Sequence, residues 1–369
     1  MILGLLALAA ASPRAAPTGV QAPAPLLEAE ARYAELAATG GWSALPEGAA
    51  LPPGTSHRRI AILRWRLARE GYPVDGGEGA TEYYDDRLAA AVRRFQELHG
   101  LAADGVVGRA TRTELNIPVE ARLGQLRANL RQAGDQLHPA IERALVVNIP
   151  AFTLDVIDSG RVLFSLRVIV GRRDWPTPIL QTEATELVFA PAWRIPRSIA
   201  ATEVLSAVRR DPEYLARNQI QVSDREGGTL LDPATIDWGR VTARSFSYSL
   251  VQQPGPHNPL GEVKLVLDSP SGVHLHDTPA RSLFSRPRRA LSHGCIRVEH
   301  PDKLVGYLLP EWSPDSVARA MAGRTEVTVP LPARIAVHLV YRTAWVEPDG
   351  LVAFRNDLYR RDRSTPGAR

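Results

Sequence analysis

The spacing of apolar residues changes once along this chain, and the change limits the folds that the chain can adopt. Within residues 59–116 apolar side chains recur every three or four positions, as in the series Ile60, Leu63 and Leu67, which is the period of amphipathic helices. From Leu145 onward the sequence instead contains short runs of β-branched and aliphatic residues, which is typical of strands. We therefore predict an α+β protein, in which a small helical module precedes a β-rich domain with a mixed or sandwich-like sheet.

The chain of 369 residues is long enough for two or three domains. The chain begins with an apolar run that is too short to span a bilayer, and a Pro/Ala-rich stretch follows this run. We therefore predict a signal peptide and linker over residues 1–26. No basic residue precedes the apolar run, so an uncleaved anchor stays open as the alternative. The further boundaries that we predict are an N-terminal segment over 27–58, the helical module over 59–116, a helical arm over 117–140, the β-rich domain over 141–342 and a C-terminal strand and tail over 343–369.

One long polar segment, about residues 194–248, interrupts the strand pattern of the β-rich domain. A structureless loop of this length is uncommon in a compact domain, and residues 202–217 have a helical pattern. We therefore predict a partly helical insertion that acts as a lid.

Composition narrows the classes of partner and site. The net charge of +4 arises from 44 basic and 40 acidic residues spread along the chain, without a basic patch interleaved with aromatic residues, so we predict no nucleic-acid partner. The single cysteine, Cys295, cannot form an intrachain disulfide. It is therefore either a small buried hydrophobe or a reactive thiol, and its neighbours decide between the two.

Imidazoles cluster close to this thiol in sequence. His274 and His276 alternate with apolar residues, so a strand would place both imidazoles on the face opposite its core side. Fifteen residues later comes the run Ser292-His293-Gly294-Cys295, in which Gly294 lets the backbone approach a ligand closely. A histidine beside a thiol favours nucleophilic catalysis. His274, His276 and His293 also imitate a zinc-binding triad, but a metal site would leave the thiol unexplained, so we predict no metal and no cofactor.

Two stretches resemble known families. The string Phe95-Gln96-x-x-His99-Gly100-Leu101-x-x-Asp104-Gly105-x-x-Gly108-x-x-Thr111 resembles the small three-helix peptidoglycan-binding module. The second resemblance is to the L,D-transpeptidases, whose pattern is a histidine, a gap of about fifteen residues, Ser/Thr-His-Gly-Cys and then Arg or Asn. Here His276, the run 292–295 and Arg297 occupy those places. The similarity extends to the runs 193–196, 232–238, 253–264 and 343–345, which look like the large Gram-negative periplasmic branch of that family.

This resemblance implies a cysteine enzyme that forms 3→3 cross-links between the stem peptides of peptidoglycan. Cys295 would attack the donor stem and release its terminal D-alanine, and His276 would carry the proton. The amides around His293, Gly294 and Cys295 would stabilise the oxyanion, and His293 would either orient the site or only pack in it. The residues that would contact substrate are Arg297, Ser292, His274, Asn258 and Gly261.

Several alternatives stay open at this level. Two departures from the family pattern, His274 in place of an aromatic residue and Pro259 in place of a small one, concern substrate contacts. The acyl acceptor could be a second stem, a lipoprotein lysine or water, and a non-catalytic wall-binding adaptor is a further reading. The resemblance implies a monomer in the periplasm with peptidoglycan as its partner, and peripheral membrane association through the N-terminal segment stays open.

Overall fold

The computed structural model describes residues 24–77, 79–134 and 142–362. It divides into two compact units, the first being Met1–Ser165 with His338–Arg369 and the second Leu166–Val337. Most of the predicted signal peptide and linker lies outside the described residues. No helix in the described ranges is long and apolar enough to cross a membrane.

The helices and strands occur in an order that matches the predicted α+β class. The helices are α1 Ala24–Ala38, α2 Arg58–Arg69, α3 Asp86–Leu98, α4 Arg109–Leu115, α5 Val119–Gly134, α6 Arg197–Ile199, α7 Leu205–Arg210, α8 Tyr214–Arg217, α9 Pro301–Leu308 and α10 Pro314–Met321. The strands are β1 Arg143–Asn148, β2 Thr153–Asp158, β3 Arg161–Gly171, β4 Leu180–Phe189, β5 Trp193–Arg194, β6 Ile220–Ser223, β7 Leu230–Leu231, β8 Ser249–Gln252, β9 Val263–Leu267, β10 Leu275–His276, β11 Ala290–Ser292, β12 Ile296–Val298, β13 Val327–Val340, β14 Ala344–Val346 and β15 Val352–Phe354.

Helices α2, α3 and α4 form the predicted three-helix module in the first unit. The Asp85 carboxylate caps α3 by accepting a hydrogen bond from the Leu88 amide at 2.8 Å, as the sequence predicts for Asp85 or Asp86. After α3, Gly100 has φ of +67°, a left-handed conformation that glycine adopts without strain at the end of a helix. Helix α3 therefore begins and ends at local signals that are readable in the sequence.

The C-terminal hairpin of β14 and β15 completes the core of this helical module. Trp345, Leu351 and Ala353 belong to the same buried cluster as Leu63 of α2 and Phe95 of α3. The sequence predicts a C-terminal strand and tail but not this location, since the two contributions lie about 250 residues apart.

Helix α5 is part of the first unit and not a free connecting arm. Its Leu126 packs in one buried cluster with Tyr33 of α1 and Phe354 of β15. The prediction of a helix is confirmed, but the prediction that it acts as an arm between two bodies is wrong, because its apolar face is covered within the unit.

The second unit is built on a mixed sheet with the strand order β11-β3-β12-β10-β9-β4-β13. Two pairs are parallel, β10 with β12 and β11 with β3, and β9 pairs antiparallel with both β4 and β10. The sheet places β10 and β12, which carry the predicted catalytic histidine and the residues after the cysteine, next to each other in its middle.

The inserted segment has a hydrophobic core of its own. It contains helices α6 to α8 and strands β6 and β7, so it is partly helical, as predicted, but also contains strands; β5 and β8 at its two ends complete a second sheet with the order β5-β8-β6-β7. Its core buries the apolar side chains of the segment with the helical pattern, which are Val204, Leu205, Val208 and Leu215. A π-helical turn, Ala200–Val204, joins α6 to α7.

Buried His99 makes the stability of the first unit depend on pH. Its ring stacks on Phe95 with centroids 3.8 Å apart, Nδ1 donates to the Phe95 carbonyl at 2.7 Å, and Nε2 has no partner among the described residues. Burial lowers the pKa of His99 well below its ordinary value. Below pH of about 6.5 the unfolded chain therefore binds a proton that the folded unit excludes, so stability falls as pH falls.

We predict that His99→Gln removes this pH dependence. Amide hydrogen exchange in α3 measures the local free energy of unfolding. The wild type should lose stability relative to the variant between pH 7 and 5, by at most about 1.4 kcal/mol per pH unit. Parallel pH profiles for the two proteins would contradict the prediction.

Candidate active site

Parallel pairing of β10 with β12 brings the candidate residues onto one face of the sheet. The register pairs Leu275 with Ile296 and His276 with Arg297. Leu275 and Ile296 are buried, whereas side chains one position away point to the opposite face. Cys295 lies two positions before Arg297, so strand alternation places it on the face of His276.

The Cys295 thiol is half-buried and receives a hydrogen bond from the backbone amide of His274. Burial raises the pKa of the thiol, and this amide together with the charges of Arg297 and Lys264 opposes the increase. The structure therefore favours a neutral thiol over a thiolate. A base must therefore remove the proton as the sulphur attacks.

His276 is held in the tautomer that such a base needs. It is buried, and its Nδ1 lies 2.5 Å from the backbone carbonyl of Asp277. Because a carbonyl only accepts, Nδ1 carries the hydrogen and Nε2 keeps its lone pair. Burial, followed by the positive charge of Arg297, lowers the pKa of His276 to about 3, so the ring is neutral at ordinary pH.

The Asp277 carboxylate does not hold the imidazole. It accepts a hydrogen bond from the Glu262 amide at 2.9 Å and pairs with Arg281 at 3.2 Å. From the sequence alone we favour a role for Asp277 in capping the turn that follows it. In the structure its carboxylate instead links the start of β9 to the end of β10. Gly261 lies directly beside this carboxylate, and a Cβ at Gly261 would come within 2.3 Å of it.

The loop that carries Cys295 is held by hydroxyl groups. Gly294 has φ of +113°, which disfavours any residue with a Cβ. The hydroxyl of buried Thr177 donates to the Gly294 carbonyl at 2.7 Å. The Ser292 hydroxyl donates to the Cys295 carbonyl at 2.5 Å and accepts from the Gly294 amide at 3.2 Å. Ser292 and Thr177 thus fix the loop, and the sequence analysis missed Thr177.

These hydrogen bonds determine which backbone amides remain available to stabilise an oxyanion. The Gly294 amide is committed to Ser292, whereas the amides of His293 and Cys295 make no hydrogen bond within the described ranges. The oxyanion role predicted for this loop is therefore best supported for the amides of His293 and Cys295.

His293 connects the active-site loop to the inserted segment. Its Nε2 donates to the Glu203 carboxylate at 2.6 Å, and the edge of its ring contacts Trp175, with centroids 5.4 Å apart. Glu203 lies in the π-helical turn and is also 3.4 Å from Arg172. With Nε2 occupied, His293 anchors the loop, and His276 is left as the candidate base. Glu203 lies 90 residues from His293, so no sequence pattern reveals the pair.

A model of the YkuD family, the L,D-transpeptidase catalytic domain, matches residues 142–329, and these include the loop and both strands described above. This chain belongs to the L,D-transpeptidase family. A second model, "Putative peptidoglycan binding domain", matches residues 56–115, which contain the three-helix module.

Individual proteins with similar sequences are consistent with this assignment. The chain is 34% identical over 227 residues to the "Putative L,D-transpeptidase" of Haemophilus influenzae, which covers 61% of this chain and 46% of the relative. It is 36% identical over 95 residues to the zinc D-Ala-D-Ala carboxypeptidase of Streptomyces albus G, covering 26% of this chain and 34% of that one. The chain thus spans less than half the length of either relative.

A solved structure aligns over more of the chain but with little similarity. It is the L,D-transpeptidase of Xylanimonas cellulosilytica, at 15% identity, covering 80% of this chain and 99% of that one with a TM-score of 0.25. The family assignment therefore rests on the family model.

Besides Ser292, whose hydroxyl holds the loop, two residues that the transpeptidase resemblance nominates for substrate contact are committed to the protein instead. Asn258 is buried, and its amide group donates to the carbonyls of Pro191 and Gln253 while its oxygen accepts from the Leu260 amide. Gly261 faces Asp277. Both residues shape the loop before β9, which argues against the predicted substrate contacts.

The alternative interpretation of the histidines as zinc ligands is not supported within the described part of the chain. No group of three or more His, Cys, Asp or Glu side chains converges there as metal ligands would. His293, the third member of the imagined triad, is turned toward Glu203.

We predict that Cys295 reacts with iodoacetamide as a buried thiol. Because it is the only cysteine, mass spectrometry reads its alkylation directly. The rate should rise with pH about a midpoint above that of a free thiol, which is about 8.5. Arg297→Met should move this midpoint higher, since it removes a cation that favours the thiolate. Arg288→Met, which removes an exposed positive charge, is the matched control. A midpoint below that of the unfolded protein would show that the thiolate is stabilised.

Proposed function

We propose that this protein is an L,D-transpeptidase that forms 3→3 cross-links between peptidoglycan stems through a Cys295 acyl-enzyme. The observation that carries the proposal is the parallel pairing of β10 with β12, which puts Cys295 on the sheet face of His276, whose Nδ1 is held by the Asp277 carbonyl so that Nε2 can accept a proton. The family assignment and the match to a peptidoglycan-binding module support the substrate class.

In the first half of the reaction, Cys295 Sγ attacks the carbonyl carbon of the third residue of a tetrapeptide stem. Nε2 of His276 takes the thiol proton as the bond forms. The amides of His293 and Cys295 stabilise the oxyanion. When the tetrahedral intermediate collapses, the bond to the terminal D-alanine breaks, and His276 returns the proton to the leaving amine. A thioester remains on the enzyme.

In the second half, a side-chain amine of another stem attacks the thioester carbon. His276 takes a proton from this amine, the carbon–sulphur bond breaks, and the thiol is regenerated. No cofactor is required, because the energy of the released amide bond is conserved in the thioester. Water and a lipoprotein lysine are the competing acceptors, and each would use the same acylation step.

The remaining parts of the proposal concern location and partners. The three-helix module binds peptidoglycan near its substrate stems, and Arg297 binds a stem carboxylate, which a guanidinium can do with two parallel hydrogen bonds. We place the protein in the periplasm as a monomer, with the N-terminal segment as its only contact with the membrane.

The acylation step is tested by mass spectrometry. We predict that a carbapenem adds its full mass to the wild type and not to Cys295→Ala, and that Cys295→Ala releases no D-alanine from disaccharide tetrapeptides. His276→Gln should lower the rate of D-alanine release by roughly 10²- to 10⁴-fold, the usual contribution of a general base. A carbapenem adduct on folded Cys295→Ala would contradict the assignment of Cys295 as the nucleophile. A wild type that binds the wall without releasing D-alanine would favour the adaptor reading.

We further propose that the inserted segment is a lid that protects the thioester from water. The contact that supports this role is the hydrogen bond from His293 to Glu203, because it ties the π-helical turn of the segment to the loop that carries Cys295. Exclusion of water favours the amine as acceptor.

Glu203→Ala should therefore raise the ratio of hydrolysed to cross-linked product while acylation by a carbapenem survives. The expected increase is roughly two- to fivefold, since a hydrogen bond of this kind contributes about 1 kcal/mol. Glu213→Ala, which removes an exposed carboxylate elsewhere in the same segment, is the control and should leave the ratio unchanged. An equal ratio in wild type and Glu203→Ala would assign the segment to packing.

A further inference from the structure

Two cations lie on the active-site face of the sheet, one on each side of His276. The register pairs His276 with Lys264 of β9 and with Arg297 of β12. Paired residues project to the same face, and neighbouring strands are about 4.8 Å apart. Lys264 and Arg297 therefore occupy one row with the candidate base between them.

Neither cation has a counter-ion at contact distance. Both side chains are partly buried, and within the described residues neither makes a hydrogen bond or an ion pair, while the Arg297 Nε is fully buried without a partner. Burial lowers the pKa of Lys264 and the charges of Glu326 and Glu186 oppose this decrease, but both carboxylates lie beyond ion-pair distance from it. Buried Arg66, in contrast, is paired with Glu70 at 2.9 Å. Because burial of an unpaired charge is costly, this row is suited to an anionic ligand.

The order of the strands assigns the two cations to different parts of a donor. Cys295 and Arg297 belong to the β12 side, His276 lies on β10, and Lys264 lies one strand further on. A donor whose carbonyl faces Cys295 presents its leaving nitrogen to His276. The group beyond that nitrogen then extends toward β9. In a donor that loses one amino acid, this group ends in a carboxylate two bonds from the nitrogen, within roughly one strand spacing.

We infer that Lys264 binds the carboxylate of the leaving residue and thereby selects donors that lose a single C-terminal amino acid. The inference rests on the proposed function. Arg297 is left for a carboxylate in the acyl part of the donor. Lys264 thus acts in specificity, because a donor with a neutral or longer leaving group leaves this cation unpaired.

The test compares two donors in a background that cannot turn over. Binding of a disaccharide tetrapeptide ending in D-alanine, and of the same compound with a terminal carboxamide, is measured by calorimetry on Cys295→Ala. We expect the carboxylate form to bind roughly 10- to 100-fold more tightly, as for a charge-assisted hydrogen bond. Adding Lys264→Met should abolish this preference by weakening only the carboxylate form, and Lys264→Arg should retain it.

The only other lysine gives a matched control. Lys303→Met removes the same charge from α9 and should leave the preference unchanged. Equal binding of the two compounds to Cys295→Ala, or an equal loss of both in Lys264→Met with the fold intact by circular dichroism, would overturn the inference. Failure of the proposed function would be seen separately, as a wild type that releases no D-alanine from the tetrapeptide whatever its binding preference.

Discussion

The parallel pairing of β10 with β12 is the constraint on which the active site depends. These strands contain only two and three residues, yet their register decides which side chains face the core and which face the site. A shift of one residue would turn Arg297 into the core and Leu275 or Ile296 out of it. The buried apolar residues of the two strands therefore fix the position of the nucleophile relative to its base.

Burial determines the protonation states of this pair. It disfavours the charge on both groups, so a neutral thiol faces a neutral imidazole, and the unpaired cations nearby favour negative charge on sulphur. Charge then develops only as the reaction proceeds, when it can be met by the amides of the loop. The Asp277 carbonyl contributes by orientation, because it fixes which ring nitrogen is available.

Local patterns in the sequence account for the helices of the module, for the strand that carries His276 and for the nucleophile loop. They act over a few residues, through helix caps, strand alternation and glycine. What they do not reveal depends on contacts distant in sequence. The hydrogen bond of His293 to Glu203 spans 90 residues, and the family pattern nominates Asn258 although its amide is used within the fold. A motif identifies residue types, but only the packed structure shows whether their polar atoms are free.

The placement of the C-terminal hairpin has a consequence for how the chain acquires its structure during synthesis. The helical module leaves the ribosome well before the hairpin, but its core includes Trp345, Leu351 and Ala353. At about 5–20 residues per second, the module waits on the order of ten seconds or more for these side chains. During that time part of its apolar surface is uncovered. The module therefore reaches its final packing only after the whole second unit has been synthesised.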